Sequence, residues 1–240
     1  MTLVAVVTRW LSDERGRPEV GTYTDRVKAT LVDAAEELFA THGIDAVSSR
    51  QIAEHAGNAN HSAVNYHFGG RDGLLAAIVR RQAGNTAVRR REMVESLRPD
   101  PQLHDLLRCL ILPLTDQLEA AGRVSWHARF IRQLRTSPSS KTLLTDAAAD
   151  APIVEDLLAR VRESLSDIPT SVLTARFWML GLMVVDVCAE YESRVQERSV
   201  DQPDWLSLAR FLVDACVGTL SAEVTSETQF LDDSRSAVWL

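Results

Sequence analysis

The sequence predicts an all-α protein with a small N-terminal domain and a larger helical body. Apolar residues recur at helical spacing in nearly every segment from residue 24 onwards, and no segment shows the strict alternation of a half-buried strand. Glycine and proline interrupt these segments at intervals that suit helix lengths. With 240 residues, 45% of them hydrophobic, the chain can bury a core without disulfides or metals.

The cysteines and the apolar segments predict a cytoplasmic protein. Cys109, Cys188 and Cys216 are odd in number and have no metal-binding or redox spacing. We interpret them as small buried residues in a reducing compartment, with reactive or sensing thiols as the alternative. The apolar run at the N-terminus ends before Arg9, and this run is too short for the core of a signal peptide. No later stretch is expected to span a membrane.

The charge distribution argues mildly against a nucleic-acid partner. The net charge is −7, and residues 24–72 hold four basic and seven acidic groups, 4 − 7 = −3. Arg9, Arg15 and Arg17 lie in residues 1–23, where no helical period is sustained. We predict that residues 1–23 form a flexible extension, or alternatively an arm that contacts DNA.

The first predicted helix begins near Thr24 and belongs to an N-terminal head, residues 24–70. Its apolar residues lie on one stripe and Gly43 ends it. Leu38 and Phe39 are expected to pack beneath the segment that follows. The stripe consists of Val27, Leu31, Ala34, Ala35, Leu38 and Phe39.

The segment from Ser48 to Phe68 predicts a helix-turn-helix. Ser48 and Gln51 can form a capping box at the start of a short helix, and Gly57 can end that helix in the left-handed conformation. A second helix should follow after Asn60. Its short or flat polar side chains are of the types that hydrogen-bond base edges and phosphates.

A long connecting helix, residues 71–97, should join the head to the body. It begins at Arg71, is near 25 residues long, and would therefore extend roughly 37 Å. That length makes it the expected mechanical link between the two parts. Its inner side is predicted to carry Leu74, Leu75, Ile78, Val79, Ala83 and Ala87.

The order of residues over this region resembles the DNA-binding region of the tetracycline-repressor (TetR) family of bacterial regulators. Glycine, Ile-Ala, Tyr-His-Phe and a basic residue occur together in the family's order, although the interval from Gly57 to Tyr66 is one residue longer than usual. The matching positions are Ala35, Phe39, Gly43, Ile52, Ala53, Gly57, Tyr66, His67, Phe68, Arg71 and Leu74.

The resemblance implies how the head would contact DNA. Residues 60–65 would read bases, Tyr66 and His67 would touch the phosphate backbone, and Arg71 would clamp a phosphate. The predicted DNA-binding residues are Ser48, Arg50, Asn60, His61, Ser62, Asn65, Tyr66, His67 and Arg71.

Residues 98–225 are predicted to form a helical ligand-binding and dimerisation domain, followed by a loosely attached tail, residues 226–240. Helical periods cover residues 101–121, with a kink expected at Pro113, and residues 124–134. Another segment, residues 139–166, is interrupted at Pro152. The last two helices are expected over residues 170–197 and 205–224, with Asp204 as an N-cap.

An aromatic and methionine-rich set in this domain could line a ligand cavity or simply form the core. Asp186 stands in an apolar run, and a buried carboxylate needs partners. It could therefore bind a neighbouring hydroxyl or arginine, or line the cavity. The candidate ligand-binding residues are Leu110, Leu114, Trp126, Phe130, Trp178, Met179, Met183 and Asp186.

The segment from Phe177 to Ser193 is apolar on more than one face, which suits either a central core helix or a subunit interface. The TetR resemblance also implies dimerisation through the last two long helices. The predicted interface residues are Val184, Cys188, Tyr191, Phe211, Ala215 and Gly218.

No catalytic constellation, metal-ligand spacing or phosphate-binding loop is recognisable, so no enzymatic activity and no cofactor are predicted. The sequence favours a ligand-responsive regulator, and we predict a repressor that a small molecule releases from a pseudo-palindromic double-stranded DNA operator. The alternatives are a helical dimeric small-molecule-binding or scaffold protein, and a helical enzyme with an appended DNA-binding head.

Overall fold

The computed structural model describes residues 18–137, 140, 143 and 152–225, and this part of the chain contains nine α-helices and no strand. The all-α prediction is confirmed. The arginines of the predicted arm and the tail beyond residue 225 lie outside the described residues. The helices are α1 Pro18–His42, α2 Ser49–His55, α3 Ala63–Phe68, α4 Arg71–Glu95, α5 Leu103–Ala121, α6 His127–Thr136, α7 Pro152–Ser164, α8 Thr170–Gln196 and α9 Trp205–Ser221.

The head is built around the buried stripe of α1. Leu31, Ala35 and Phe39 are fully buried, and α2, α3 and the first turns of α4 pack onto them through residues such as Ile52 and Val64. Helix α1 begins at Pro18, earlier than the predicted start near Thr24. Proline is compatible with the first turn of a helix because its missing N–H would have no intrahelical partner there.

The connecting helix α4 changes character along its length. Leu74, Leu75, Ile78 and Val79 are buried in the head, as predicted. Beyond them the buried positions are polar, and Ala83 and Ala87 are only half-buried. The inner face continues through Gln82, Thr86 and Arg90 instead.

Helix α6 joins the head to the body. It packs against α1 of the head and against α8 of the body. Phe130 and Leu134 are fully buried in the core of the head, with the Phe130 and Phe39 ring centroids 6.3 Å apart. Phe130, predicted to line a ligand cavity, therefore serves as a packing residue of the head, because its helix crosses the domain boundary.

The body core is formed by α5, α7, α8 and α9. All three cysteines are free and buried, as expected, and burial raises the pKa of Cys188 and Cys216 to about 12. Helix α8 is long and apolar enough to cross a membrane, which contradicts the expectation that no stretch reaches that length. Half of its apolar window is buried inside the fold, as in the core helix of a globular protein.

Candidate nucleic-acid interface

The predicted capping box is present at the start of α2. The Ser48 hydroxyl oxygen accepts from the Gln51 amide at 3.3 Å, and the Gln51 side-chain oxygen accepts from the Ser48 amide at 2.9 Å. Gly57 adopts a left-handed φ of +66° directly after the helix. These local features fix both ends of α2 and hold it against α1 through Ile52 and Ala53, which are fully buried.

The turn before α3 is longer than the sequence suggested. Asn58 Oδ1 accepts from the Asn60 amide at 2.9 Å, and Asn60 Oδ1 accepts from the Ser62 amide at 3.0 Å. Such side-chain bonds compete with helical ones, so α3 starts only at Ala63. Asn60, His61 and Ser62 consequently lie in the turn rather than on the helix.

Helix α3 presents a polar face to solvent. Ala63 and Val64 are buried against the head, whereas Asn65 is exposed and Tyr66 has 81% of its surface exposed. The His67 ring lies edge-on to Tyr66, with centroids 4.8 Å apart. Together with the exposed residues of the preceding turn, this face forms one outward surface at the end of the head, which we call the polar face (residues 60–66).

Arg71 has a structural contact that the sequence did not reveal. Its guanidinium donates to the carbonyl of Ile44, lies 3.6 Å from Asp45 Oδ1, and sits 5.8 Å from the centroid of the Phe39 ring. The side chain is 29% exposed. Arg71 therefore ties the start of α4 to the connection between α1 and α2.

The sequence also did not predict that the backbone of α4 passes close to the end of α3 at Gly73. A Cβ atom placed on Gly73 would lie 1.9 Å from the backbone oxygen of Phe68, so only glycine fits where α4 passes the end of α3. No signal in the sequence distinguishes this glycine from its neighbours.

The charges next to the polar face are paired with one another. Glu54 accepts from Arg50 at 2.8 Å and lies 3.8 Å from His61, and Glu37 lies 3.1 Å from His55. The hydrogen bond from Arg50 lowers the pKa of Glu54. Since exposed pairs of this kind are weak, Arg50 can exchange Glu54 for a phosphate at little cost.

The predicted ligand-binding residues do not come together in one cavity. Leu110 and Leu114 are buried in the body core, and Met183 packs against that core from a half-buried position. Trp178 and Met179 are 37% and 45% exposed. Only Trp126 lines the large cleft described below, and only Leu114 lines a small internal cavity.

Asp186 is exposed, which corrects the prediction of a buried carboxylate. It lies on the outer face of α8, close enough to Arg135 for their charges to interact. Burial lowers the pKa of Arg135, and the charge of Asp186 opposes that shift.

The head and the body enclose a cleft of about 570 Å³ between them. On its wall, Glu36 of α1 meets His127 of α6 at 3.3 Å, and it also accepts from Gln82 of α4 at 2.7 Å and from Arg81. Burial by itself raises the pKa of Glu36, but the partners outweigh burial and hold the pKa below its usual value. This cluster of Glu36, Arg81, Gln82 and His127, which we call the joint, connects three elements.

The predicted dimer residues fall on two different faces. Val184 and Cys188 are buried in the core of their own chain, and Tyr191 packs edge-on against Trp205, so these three face inward. Phe211 is 64% exposed, Gly218 is exposed and Ala215 is half-buried. On α8 the outward apolar residues are Trp178 and Met179 instead.

Among the described residues, no group of three or more histidine, cysteine or acidic side chains is placed to hold a metal ion.

A capped two-helix unit with an exposed polar face, set on a three-helix head and joined to a helical body, defines a DNA-binding transcriptional regulator of the helix-turn-helix class. Residues 31–78 match the family model described as "Bacterial regulatory proteins, tetR family". The matched residues run from the middle of α1 to the first turns of α4, so the head of this protein is similar in sequence to that family.

Solved structures of low sequence identity share the fold. The fatty acid degradation regulator FadR from Bacillus halodurans is 17% identical with a TM-score of 0.59, over 88% of this chain and 100% of that one. NalD, the secondary repressor of the MexAB-OprM multidrug efflux pump in Pseudomonas aeruginosa, is 17% identical with a TM-score of 0.52, over 82% of this chain and 97% of that one. No curated protein matches the chain.

Proposed function

We propose that this protein is a homodimeric transcriptional repressor that a small-molecule effector releases from a pseudo-palindromic operator. The observation that carries the proposal is the polar face, residues 60–66, held outward by the burial of Ala63 and Val64. Two such heads would occupy successive major grooves, about 34 Å apart.

Within each head, the exposed amides of Asn60 and Asn65 are suited to reading bases, since asparagine can bind adenine through two hydrogen bonds. Tyr66 and His67, whose rings lie edge-on with centroids 4.8 Å apart, would contact the phosphate backbone. Ser48 is exposed, and Arg50 is exposed and paired only with Glu54. Both residues would add phosphate contacts from the start of α2.

The proposed cellular location is the cytoplasm.

Dimerisation would use the outer faces of α8 and α9. Trp178, Met179, Leu206 and Phe211 are large apolar side chains that remain exposed on these two helices in the single chain. Covering such residues is favourable, at about 25 cal/mol for each Å² of apolar surface removed from water. A two-fold pairing of these helices covers them and sets the distance between the heads.

The response to a ligand would pass through both long connections between head and body. Helix α4 runs continuously from one to the other, and α6 buries Phe130 in the head core while packing on α8. A ligand that prefers a body conformation with differently spaced heads lowers DNA affinity by its differential affinity for the two conformations.

Selection of bound fragments from random DNA with the full-length protein tests the proposal. The expected result is one enriched pseudo-palindromic motif, whose half-sites are separated by about one helical turn or a multiple of it. An unselective pool would contradict the proposal and favour the alternative of a helical small-molecule-binding or scaffold protein.

A further inference from the structure

A buried polar stripe runs along the connecting helix where an apolar one would be expected. Gln82, Thr86 and Arg90 are 5%, 3% and 4% exposed and follow one another at intervals of four residues. The stripe therefore extends about 12 Å along the face of α4 that packs against the body. A helix face buried in a core is normally apolar, so these three side chains need an explanation.

Arg90 carries a buried charge that has no counter-ion in the part of the chain that the structure describes. Its Nε donates to the carbonyl of Cys109 at 3.3 Å, and its Nη1 lies 3.5 Å from the Thr86 hydroxyl. No carboxylate among the described residues lies within ion-pair distance of it. By comparison, the half-buried Arg129 has Glu192 at 3.0 Å.

An arginine has five N–H donors, and removing its charge from water without an acidic partner is costly. Burial accordingly lowers the pKa of Arg90 to about 10. Two long hydrogen bonds to neutral oxygens do not compensate for that cost.

The stripe borders a small cavity that shares two lining residues with the cleft. Gln82 and Thr86 line a cavity of about 10 Å³, whose other walls include the apolar side chains of Val79, Leu114 and Ile131. Gln82 and His127 line both this cavity and the 570 Å³ cleft between head and body. These two side chains therefore separate the cavity from the cleft, and Thr86 on the cavity wall is bonded to Arg90.

We propose that Arg90 binds the acid group of an elongated amphipathic carboxylate. The apolar part of this ligand lies against Leu114 and Ile131, and its far end reaches Gln82 and His127. The proposal presupposes the ligand response proposed above and names the chemical class of the effector. Its carboxylate supplies the counter-ion that Arg90 lacks, and its apolar part suits the walls of the cavity.

Binding at this place couples to the head. The cavity is too small for such a ligand, so α4 and α5 must separate to admit it, and the ligand selects a body conformation in which they are apart. Its far end meets Gln82 and His127, two of the three residues in the joint that bind Glu36 of α1. A ligand at Arg90 therefore alters the contact that fixes the head.

The test uses decanoate, whose extended chain is roughly as long as the stripe, and decanol as the uncharged control. Full-length wild type, Arg90→Met and Arg91→Met are compared by thermal unfolding and by calorimetric titration. Arg91 is exposed on the same helix and serves as the matched control. We expect decanoate to raise the Tm of wild type and Arg91→Met, and to bind Arg90→Met at least about tenfold more weakly.

Two further readouts separate a ligand site from a structural role. Without ligand, Arg90→Met should unfold at a higher temperature than wild type, by about 2–4 °C or more, because an uncompensated buried charge has been removed. Decanol should bind wild type and Arg90→Met equally. A lower Tm for Arg90→Met, equal decanoate binding by wild type and Arg90→Met, or no decanoate binding to wild type would each overturn the proposal.

Failure of this site is distinguishable from failure of the proposed function, because binding is measured without DNA. If decanoate binds through Arg90 but leaves operator affinity unchanged, the carboxylate site is supported and the proposed release from DNA by this ligand is contradicted. If the protein selects a palindrome but does not bind decanoate, the regulator stands and the carboxylate site is wrong.

Discussion

At the scale of single residues, Asn65 and Arg71 show how similar polar groups take different roles. Asn65 is exposed on the polar face, whereas Arg71 is directed back into the head towards Ile44 and Phe39. Asn65 is therefore free to meet DNA in the proposed complex, whereas the internal contacts of Arg71 suit a stabilising role.

We predict that Asn65→Ala blurs sequence preference without changing the stability of the head. A bidentate contact between asparagine and adenine discriminates between bases by about 1–3 kcal/mol, so the preference for the selected operator over a mutated one should fall by roughly tenfold or more. Binding to both duplexes is measured at one salt concentration. Asn85→Ala, an exposed change on α4, is the control, and an unchanged preference in Asn65→Ala would show that other residues read the operator.

For Arg71→Ala we expect a loss of stability of about 1–3 kcal/mol, because the change removes a partly buried, charge-assisted hydrogen bond to the backbone. Urea unfolding measures it. Arg80→Ala, which alters an exposed arginine on the same helix, should stay close to wild type. Unchanged stability with uniformly weaker binding to all DNA would instead identify Arg71 as a phosphate clamp.

At the scale of the elements, α6 depends on a carboxylate from another helix. Glu192 of α8 is 2% exposed and accepts from the backbone amides of Ala128 and Arg129 at 3.2 and 3.0 Å, and from the Ser125 hydroxyl at 2.6 Å. The Arg129 guanidinium completes the set at 3.0 Å and lies 4.3 Å from the Trp126 ring centroid. Glu192 thus caps the start of α6 and neutralises its arginine.

Replacing Glu192 by alanine should destabilise the protein by about 3–5 kcal/mol, because it leaves Arg129 and the amides of α6 without their partner. Glu190→Ala, two positions earlier, removes only an exposed pair with Arg194 and should cost much less. Equilibrium unfolding of the two variants makes the comparison. Equal losses would mean that α6 is not held through Glu192.

At the scale of the whole molecule, we expect the joint to make the contact between head and body sensitive to acid. The pKa of Glu36 is held below its usual value of 4.5, chiefly by His127, against the opposing effect of burial. The stabilisation from Glu36 is therefore complete above the usual pKa and is lost as the pH falls through the lowered one.

We expect the unfolding free energy of wild type to fall between about pH 5 and pH 3 more steeply than that of Glu36→Gln, which has no carboxylate to protonate. Glu37→Gln, at the adjacent position, is the control for general acid effects. If the unfolding free energies of wild type and Glu36→Gln fall equally steeply with pH, the joint does not contribute to this pH dependence.

Assembly is the second property that belongs to the whole molecule. Because Phe211 is 64% exposed on α9, a Phe211→Asp change should leave the fold of each chain intact while it places a charge in the proposed interface. Light scattering should then detect monomers where wild type forms dimers, and operator binding should weaken. Val88→Asp, an equally exposed apolar position on α4, should remain dimeric.

The local elements of the head could be predicted from the sequence because their determinants lie within a few residues of one another. The capping box joins Ser48 to Gln51, and Gly57 ends α2 through its own backbone conformation. The extra residue between Gly57 and Tyr66 also acts locally, because it lengthens the turn before α3. The sequence did not show that the side chains of Asn58 and Asn60 would bond the backbone of this turn.

The sequence by itself determined the helices, the helix-turn-helix and the likeness of the head to the tetR family, since periodicity, caps and spacing are properties of contiguous residues. Only the tertiary structure decided which side of α8 faces inward, because an all-round apolar helix such as the one containing Val184 and Asp186 has no unique buried stripe. It also decided that α6 enters the head core and that Arg90 is buried with no acidic partner among the described residues. These features depend on residues far apart in the chain, and their physical basis is the competition between elements for the same buried space.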